Sequence, residues 1–289
     1  MDLRVLRYYL AICREGNMSR AAEALHVTQP TLSRQIADLE RELGCELLVR
    51  GNRSVTPTER GMYLRRRAEE IVSLADQTED ELSRKENVVE GDVSIGAGES
   101  EGMRIVASKI GSFRERHPHV RFHLRSGNSI DVLDWLEHGL VDFAVLMSYP
   151  DINRFDHLRL APTDAWGVLM PHGDPLAQNA TVGPDDLVGK PLVLSEQALD
   201  TGELSQWFGD RKDRLDVAGT YNLVFNAAQL VRAHVGYALV LDHLVSTGAD
   251  AGLEFRLLYP PVVSVIDFAW KNGHALSTAA AAFLEHMRS

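Results

Sequence analysis

Leu6, Tyr9, Leu10 and Cys13 recur at helical spacing, and the pattern stops at Glu15-Gly16-Asn17, where Gly16 can take the left-handed conformation that ends a helix. This predicts a first helix. Ser19 to Leu25 turns Ala21, Ala22 and Leu25 inward behind polar residues able to accept from free amides, and predicts a short second one. His26-Val27-Thr28 then forms a three-residue connection. Thr28 caps a third helix with Pro30 in its first turn, where a missing amide does least harm, and Gly44 ends it after Leu43. Leu32, Ile36, Leu39 and Leu43 form its apolar stripe, leaving Pro30, Arg34, Ala37 and Arg41 on the opposite pole and Gln29 and Ser33 at the flank. Glu46 to Val49 and Ser54 to Thr56 predict two short strands around the turn Arg50-Gly51-Asn52-Arg53.

Thr58 caps a longer helix that meets no proline before about Val88, and within it Leu64, Ala68, Ile71, Ala75, Thr78 and Leu82 repeat as a heptad seam. A rod of roughly 45 Å with one narrow apolar stripe suits a partner helix, so it reads as linker and dimerisation element. Packing on its own C-terminal domain is the other reading. From Gly91 short apolar strands alternate with helices, as in an α/β domain with largely parallel sheets. Strands are predicted at 92–97, 120–124, 141–147, 165–170, 192–195, 215–220, 236–241, 255–258 and 263–270. Helices are predicted at about 102–116, 129–138, 201–209, 222–233 and 275–287. The stretch from Pro150 to Pro162 and the pair Pro260-Pro261 read as two crossings between lobes, which implies a cleft.

Composition adds less than the distribution of charge. The 289 residues are 45% hydrophobic and 25% charged, which fits one ordinary globular protein of two or three domains and excludes disordered and fibrous classes. Net charge is −11, yet residues 1–67 hold 12 arginines against eight acids while the remainder is strongly acidic. A basic head on an acidic body keeps a nucleic-acid partner in view. Two cysteines, Cys13 and Cys45, fit a reduced intracellular protein, with a single bridge left open. Charges scattered through the first twenty residues exclude a secretory core, and no apolar run approaches a membrane span, so a cytoplasmic location is expected.

Two helices joined by a three-residue turn are a helix-turn-helix, and the outer face of the third helix suits a major groove. There Arg34 can chelate a guanine edge, Gln29 can pair with adenine, and small Ala37 lets the helix approach. The wing arginines, Arg50 and Arg53, suit phosphates or a minor groove. Enzyme motifs fail: Gly96-Ala97-Gly98 lacks the third glycine of a dinucleotide loop, and neither a G-x-S-x-G elbow nor H-E-x-x-H occurs. His117 and His119 around Pro118 read as a surface turn rather than a metal pair. No enzyme activity, cofactor or metal is expected.

The runs Ser19-Arg20-Ala21-Ala22-Glu23-Ala24-Leu25-His26-Val27-Thr28-Gln29-Pro30-Thr31-Leu32-Ser33-Arg34-Gln35-Ile36, Leu39-Glu40-Arg41-Glu42-Leu43-Gly44 and Thr58-Glu59-Arg60-Gly61 closely resemble the LysR-type transcriptional regulators. Met18 in place of an aromatic and Leu48-Val49-Arg50 in place of Phe-x-Arg depart from that pattern. The resemblance implies an all-α-rich winged helix-turn-helix head at 1–60, a linker helix at 58–90, and an α/β two-lobed effector domain like the periplasmic binding proteins at 91–289. Lobe one would span about 91–161 and 264–289, and lobe two about 162–263. It implies Ser19 and Arg20 near phosphates, Gln29, Pro30, Thr31, Ser33 and Arg34 in the major groove, and Arg50 and Arg53 at the wing. It also implies a homotetramer built as a dimer of dimers, an unknown small-molecule effector, and RNA polymerase as a further partner beside double-stranded DNA.

By the same resemblance Ser100, Glu101, Asn128, Ser195, Asn222 and Phe225 border the inter-lobe cleft. Glu99 and Glu101 flank Ser100 at a helix start. Two readings stay open: they select a neutral or amine-bearing effector, or they face solvent and merely favour the helix dipole. A solute-binding protein is the rival class, countered by the basic head and the missing export signal, and a regulator without effector is a third.

Overall fold

The Asp2 carboxylate accepts from the Arg4 amide at 2.7 Å and so opens helix α1 (Leu3–Glu15), which ends where Gly16 turns left-handed. Asn17 does the same for α2 (Met18–Ala24), accepting from the Ser19 and Arg20 amides, which is why that helix starts at Met18, one residue before the pattern of apolar positions. Thr28 caps α3 (Gln29–Leu43), with Pro30 in its first turn and a left-handed Gly44 at its end. Tyr9, Ile12, Ala21, Leu32, Ile36 and Leu39 meet in the core between these helices. Leu43 does not join them: it is exposed, and the next core side chain is Leu47, whose amide donates to Glu40 at 2.8 Å.

These coordinates of the chain are a computed structural model that describes residues 1–51, 54–83, 89–195, 203–273 and 275–289. Contacts divide it into two units, Met1–Val88 and Val89–Ser289. The first is completed by a hairpin and a long helix. Strand β1 (Leu48–Arg50) pairs antiparallel with β2 (Val55–Pro57), and the Gly51 amide donates to the Ser54 carbonyl at 2.8 Å. Both strands lie one or two residues later than the pattern predicts. Helix α4 (Glu59–Ser83) follows, its first turn held by Thr58, whose hydroxyl accepts from the Gly61 amide at 3.0 Å. Residues 84–88, read as the end of this helix, lie outside the described residues. Both cysteines are free thiols.

In the second unit, one mixed sheet runs through both lobes. Lobe one contributes β3 (Gly91–Ala97), α5 (Gly102–Arg116), β4 (Val120–Ser126), α6 (Ser129–Glu137) and β5 (Phe143–Met147). Strand β6 (Asp156–Pro171) leads into the second lobe, with α7 (Pro184–Leu187), β7 (Pro191–Ser195), α8 (Glu203–Phe208), β8 (Asp216–Tyr221), α9 (Val224–Arg232), β9 (Tyr237–Leu241) and β10 (Leu253–Leu257). Strand β11 (Val263–Trp270) returns, and α10 (Thr278–Arg288) starts where the Ser277 side chain accepts from the Ala280 amide. Strand order is β4-β3-β5-β11-β6-β9-β7-β8, with β10 on β6. Phe113, Phe143, Phe268 and Phe283 are fully buried between the sheet and α5 and α10, while Val132 and Leu136 of α6 cover the opposite face. Burying each such ring is worth about 1.5–3 kcal/mol.

The first crossing differs from expectation. The apolar pattern predicts a strand only at 165–170, after a connection ending at Pro162, whereas β6 begins at Asp156 and runs for 16 residues. Leu160 pairs with Ile266 and Asp164 with Ser264, with a register shift between those partners. Pro162 therefore falls within the bulge on β6 itself, the position in a sheet where a residue without an amide is tolerated.

Candidate nucleic-acid interface and inter-lobe cleft

Helix α3 has one buried edge and one open one. Gln29, Pro30, Thr31 and Arg34 are exposed and Ser33 is half-buried. The Thr28 and Thr31 hydroxyls lie 2.8 Å apart, fixing the start of the helix that carries this face. Counter-ions sort the arginines of the head. Asp76 holds Arg7 at 2.5 Å, Asp38 holds Arg41 at 2.8 Å, Glu69 holds Arg65 at 3.1 Å and Glu70 holds Arg67 at 2.8 Å. Arg34 has no ion-pair or hydrogen-bond partner among the described residues. Arg20 donates to the Glu15 carbonyl, and Ser19 beside it is exposed. Arg53 lies outside the described residues, and so does the Arg50 side chain.

The heptad seam divides. Leu64 and Ala68 are buried in the head core beside Val72, because the start of α4 packs against α1. They contribute to the core of their own domain. Further along, Ala75 is half-buried, Ile71, Thr78 and Leu82 are exposed, and Leu74, off the predicted repeat, is exposed as well.

In the second unit the predicted cleft residues come from strand ends. Ala97 pairs with Ser126, and the Gly127 amide donates to the Ala97 carbonyl at 3.1 Å, which brings the Ser100 turn beside Asn128. Ser195 pairs with Tyr221, next to Asn222 and the exposed Phe225. Ser100 is buried and its hydroxyl has no hydrogen-bond partner among the described residues. Asn128 is already occupied: its side-chain oxygen accepts from the Asp131 amide at 2.9 Å and caps α6.

Two carboxylates tie the lobes, and both differ from what the sequence conveys. Glu99, from lobe one, is half-buried and accepts from the Val224 amide at the start of α9 in lobe two. Burial and this nearby charge push the Tyr221 phenol up, and its hydroxyl donates to the Leu239 carbonyl. Glu203, at the start of α8, accepts from the Ser148 hydroxyl at 2.5 Å and from the Ser264 hydroxyl at 2.5 Å. Ser264 in turn accepts from the Trp166 indole at 3.0 Å, and Ser148 from the Val265 amide at 3.2 Å. Sequence reasoning missed Glu203, Ser148 and Ser264; a serine inside the apolar run Val263–Trp270 was the one available signal. Glu101 pairs with Arg104 at 2.9 Å and lines a pocket with Asp164.

A model of the LysR substrate binding domain matches residues 86–289, and one of the bacterial regulatory helix-turn-helix protein, lysR family, matches residues 3–62. The SDS degradation transcriptional activation protein of a Pseudomonas species is 33% identical over 71% of this chain and 69% of its own. A probable RuBisCO transcriptional regulator of Synechocystis is 31% identical, covering 89% of this chain and 74% of its own. Among solved structures, CbnR, a LysR family transcriptional regulator, is 21% identical and covers 100% of this chain and 98% of its own with a TM-score of 0.77. A similar likeness, TM-score 0.75 at 21% identity and 100% and 99% coverage, holds for full-length CbnR complexed with its target DNA. Among the described residues no helix is long and apolar enough to cross a membrane.

Proposed function

The chain belongs to the LysR family of bacterial transcriptional regulators, in which a helix-turn-helix binds DNA under the control of an effector domain, and we propose how its own residues divide that work. Residues 1–60 form the reading head, 58–90 the linker and 91–289 the effector domain, with lobes at about 91–161 with 264–289 and at 162–263. Gln29, Pro30, Thr31, Ser33 and Arg34 face base edges in the major groove, Ser19 and Arg20 phosphates, and Arg50 and Arg53 the flank of the site. The observation that carries this is Arg34: on the open edge of α3, with no ion-pair or hydrogen-bond partner among the described residues, it keeps five donors free for a guanine edge.

The effector binds between the lobes, beside Ser100, Asn128, Ser195, Asn222 and Phe225, and shifts their closure. Because Glu99 takes the amide at the start of α9, the cleft favours a neutral or amine-bearing molecule over a carboxylate. The protein acts as a cytoplasmic homo-oligomer, a dimer of dimers joined through the outer part of α4, has no catalytic role, and meets RNA polymerase at its promoters.

The test is binding of genomic fragments by the full chain and by Arg34→Ala. The variant is expected to lose about 1–3 kcal/mol of specific affinity and to discriminate less between its operator and scrambled DNA. Equal binding to both sequences by both proteins refutes the assignment.

A further inference from the structure

Asp164 is the most conspicuous polar group in the effector domain that the cleft does not use. It sits on β6 where the strand passes from one lobe to the other, and it is only 3% exposed. One side of its carboxylate accepts from the Glu101 backbone amide. The other oxygen, Oδ2, has no hydrogen-bond partner among the described residues. A buried carboxylate oxygen left without a donor is costly, and each such group in a folded protein calls for an explanation.

A pocket of about 410 Å³ supplies one. Asp164 lies in its wall with Glu101, just before α5, Arg104 from that helix, and Asp242 and His243 from the turn after β9. Ser100, Asn128, Ser195, Asn222 and Phe225 are not among its lining residues. The charges are unbalanced: three carboxylates face one guanidinium and one imidazole. Glu101 already engages Arg104 at 2.9 Å, and Asp242 lies 3.4 Å from His243, so Asp164 is the acid with no cation of its own. Its carboxyl is pushed up to about 6, chiefly by burial and further by the Glu101 charge, with His243 acting in the opposite direction. A bound cation would reverse that penalty. Among the described residues no three His, Cys, Asp or Glu side chains are placed to hold a metal ion, which leaves an organic cation as the fitting class.

We propose that this pocket is a binding site for a small organic ammonium ligand, with Asp164 Oδ2 accepting from the ammonium head and the carboxylates of Glu101 and Asp242 at the rim. Its volume is ample for a short aliphatic diamine. Because Glu101 and Asp242 come from different lobes, the ligand would tie them at the crossing strand. The role of the head in reading DNA does not enter the argument.

The probes are 1,4-diaminobutane and its neutral isostere 1,4-butanediol, titrated against the full-length protein at matched ionic strength with calorimetry and thermal melting as readouts. The diamine is expected to bind saturably and raise the melting temperature, and the diol to do neither. Asp164→Asn keeps the shape, removes the charge, and should weaken diamine binding by about tenfold or more, about 1.4 kcal/mol. Asp242→Asn, at the half-buried rim, gives the same reading should the first variant fold poorly. Saturable binding lost in either variant supports the site. Diamine binding no better than the diol, or unchanged in both variants, overturns it.

Discussion

Gly61 has no room for a side chain: a Cβ built there would stand 2.0 Å from the Leu47 carbonyl oxygen and 2.7 Å from the Tyr9 hydroxyl. The closeness lets α4 lie against the core of the head, so Gly61→Ala should cost about 1–3 kcal/mol or more by forcing backbone apart. Urea unfolding of wild type and variant measures this, and equal midpoints would show that the contact yields freely. Asp164 carries a prediction of opposite kind. Its folded pKa of about 6 lies above the ordinary 3.8, so the folded state holds its proton more tightly. That contribution to stability is fully present below about pH 4 and is lost as pH rises through about 6. Glu101, Arg104, Asp242 and His243 face it throughout. Asp164→Asn is therefore expected to raise the melting temperature relative to wild type at about pH 7.5 and to do so less at about pH 4.5. A shift of the same size at both pH values refutes the assignment. At this scale the sequence exposed Arg34, Gln29 and the caps, because spacing alone places them. It concealed Asp164 and Glu203, whose partners are separated from them by tens of residues and are brought together only by the tertiary fold.

At the scale of elements, α4 is two things in sequence. Its first turns are part of the head, with Leu64 and Ala68 in a core that includes Tyr9 and Ile12. Its later turns show Ile71, Leu74 and Leu82 to solvent. Heptad spacing reports only that residues share a face, and that face is buried in the head near Thr58 and exposed further on. Leu82→Glu is expected to leave the unfolding of the head unchanged and to shift sedimentation toward a smaller species. Leu64→Glu is expected to lower stability by about 2–5 kcal/mol at any protein concentration, since it places a charge in a packed core. An unchanged oligomer in Leu82→Glu would remove the outer seam from the interface. The helices and most strands were legible because apolar period and cap chemistry agreed. The start of β6 was not, because Pro162 reads as a break until its bulge is known.

At the scale of the molecule, a basic head and an acidic body were visible in the charge distribution, and two lobes in the paired crossings. How the lobes hold together was not visible. Glu203 accepts from hydroxyls of Ser148 and Ser264, short charge-assisted bonds in which each serine also accepts from a neighbour. Glu203→Gln is expected to weaken the tie by roughly 1–3 kcal/mol and to speed amide exchange at Ser148 and Val265. Exchange at both sites indistinguishable from wild type would show the tie to be incidental.

A strand that belongs to both lobes has a mechanical consequence. Loops would let the two halves swing freely, but β6 carries hydrogen-bonded partners on both sides of the passage, Ile266 before it and Leu241 after it. Relative rotation of the lobes therefore has to twist a hydrogen-bonded strand as well as reorient loops.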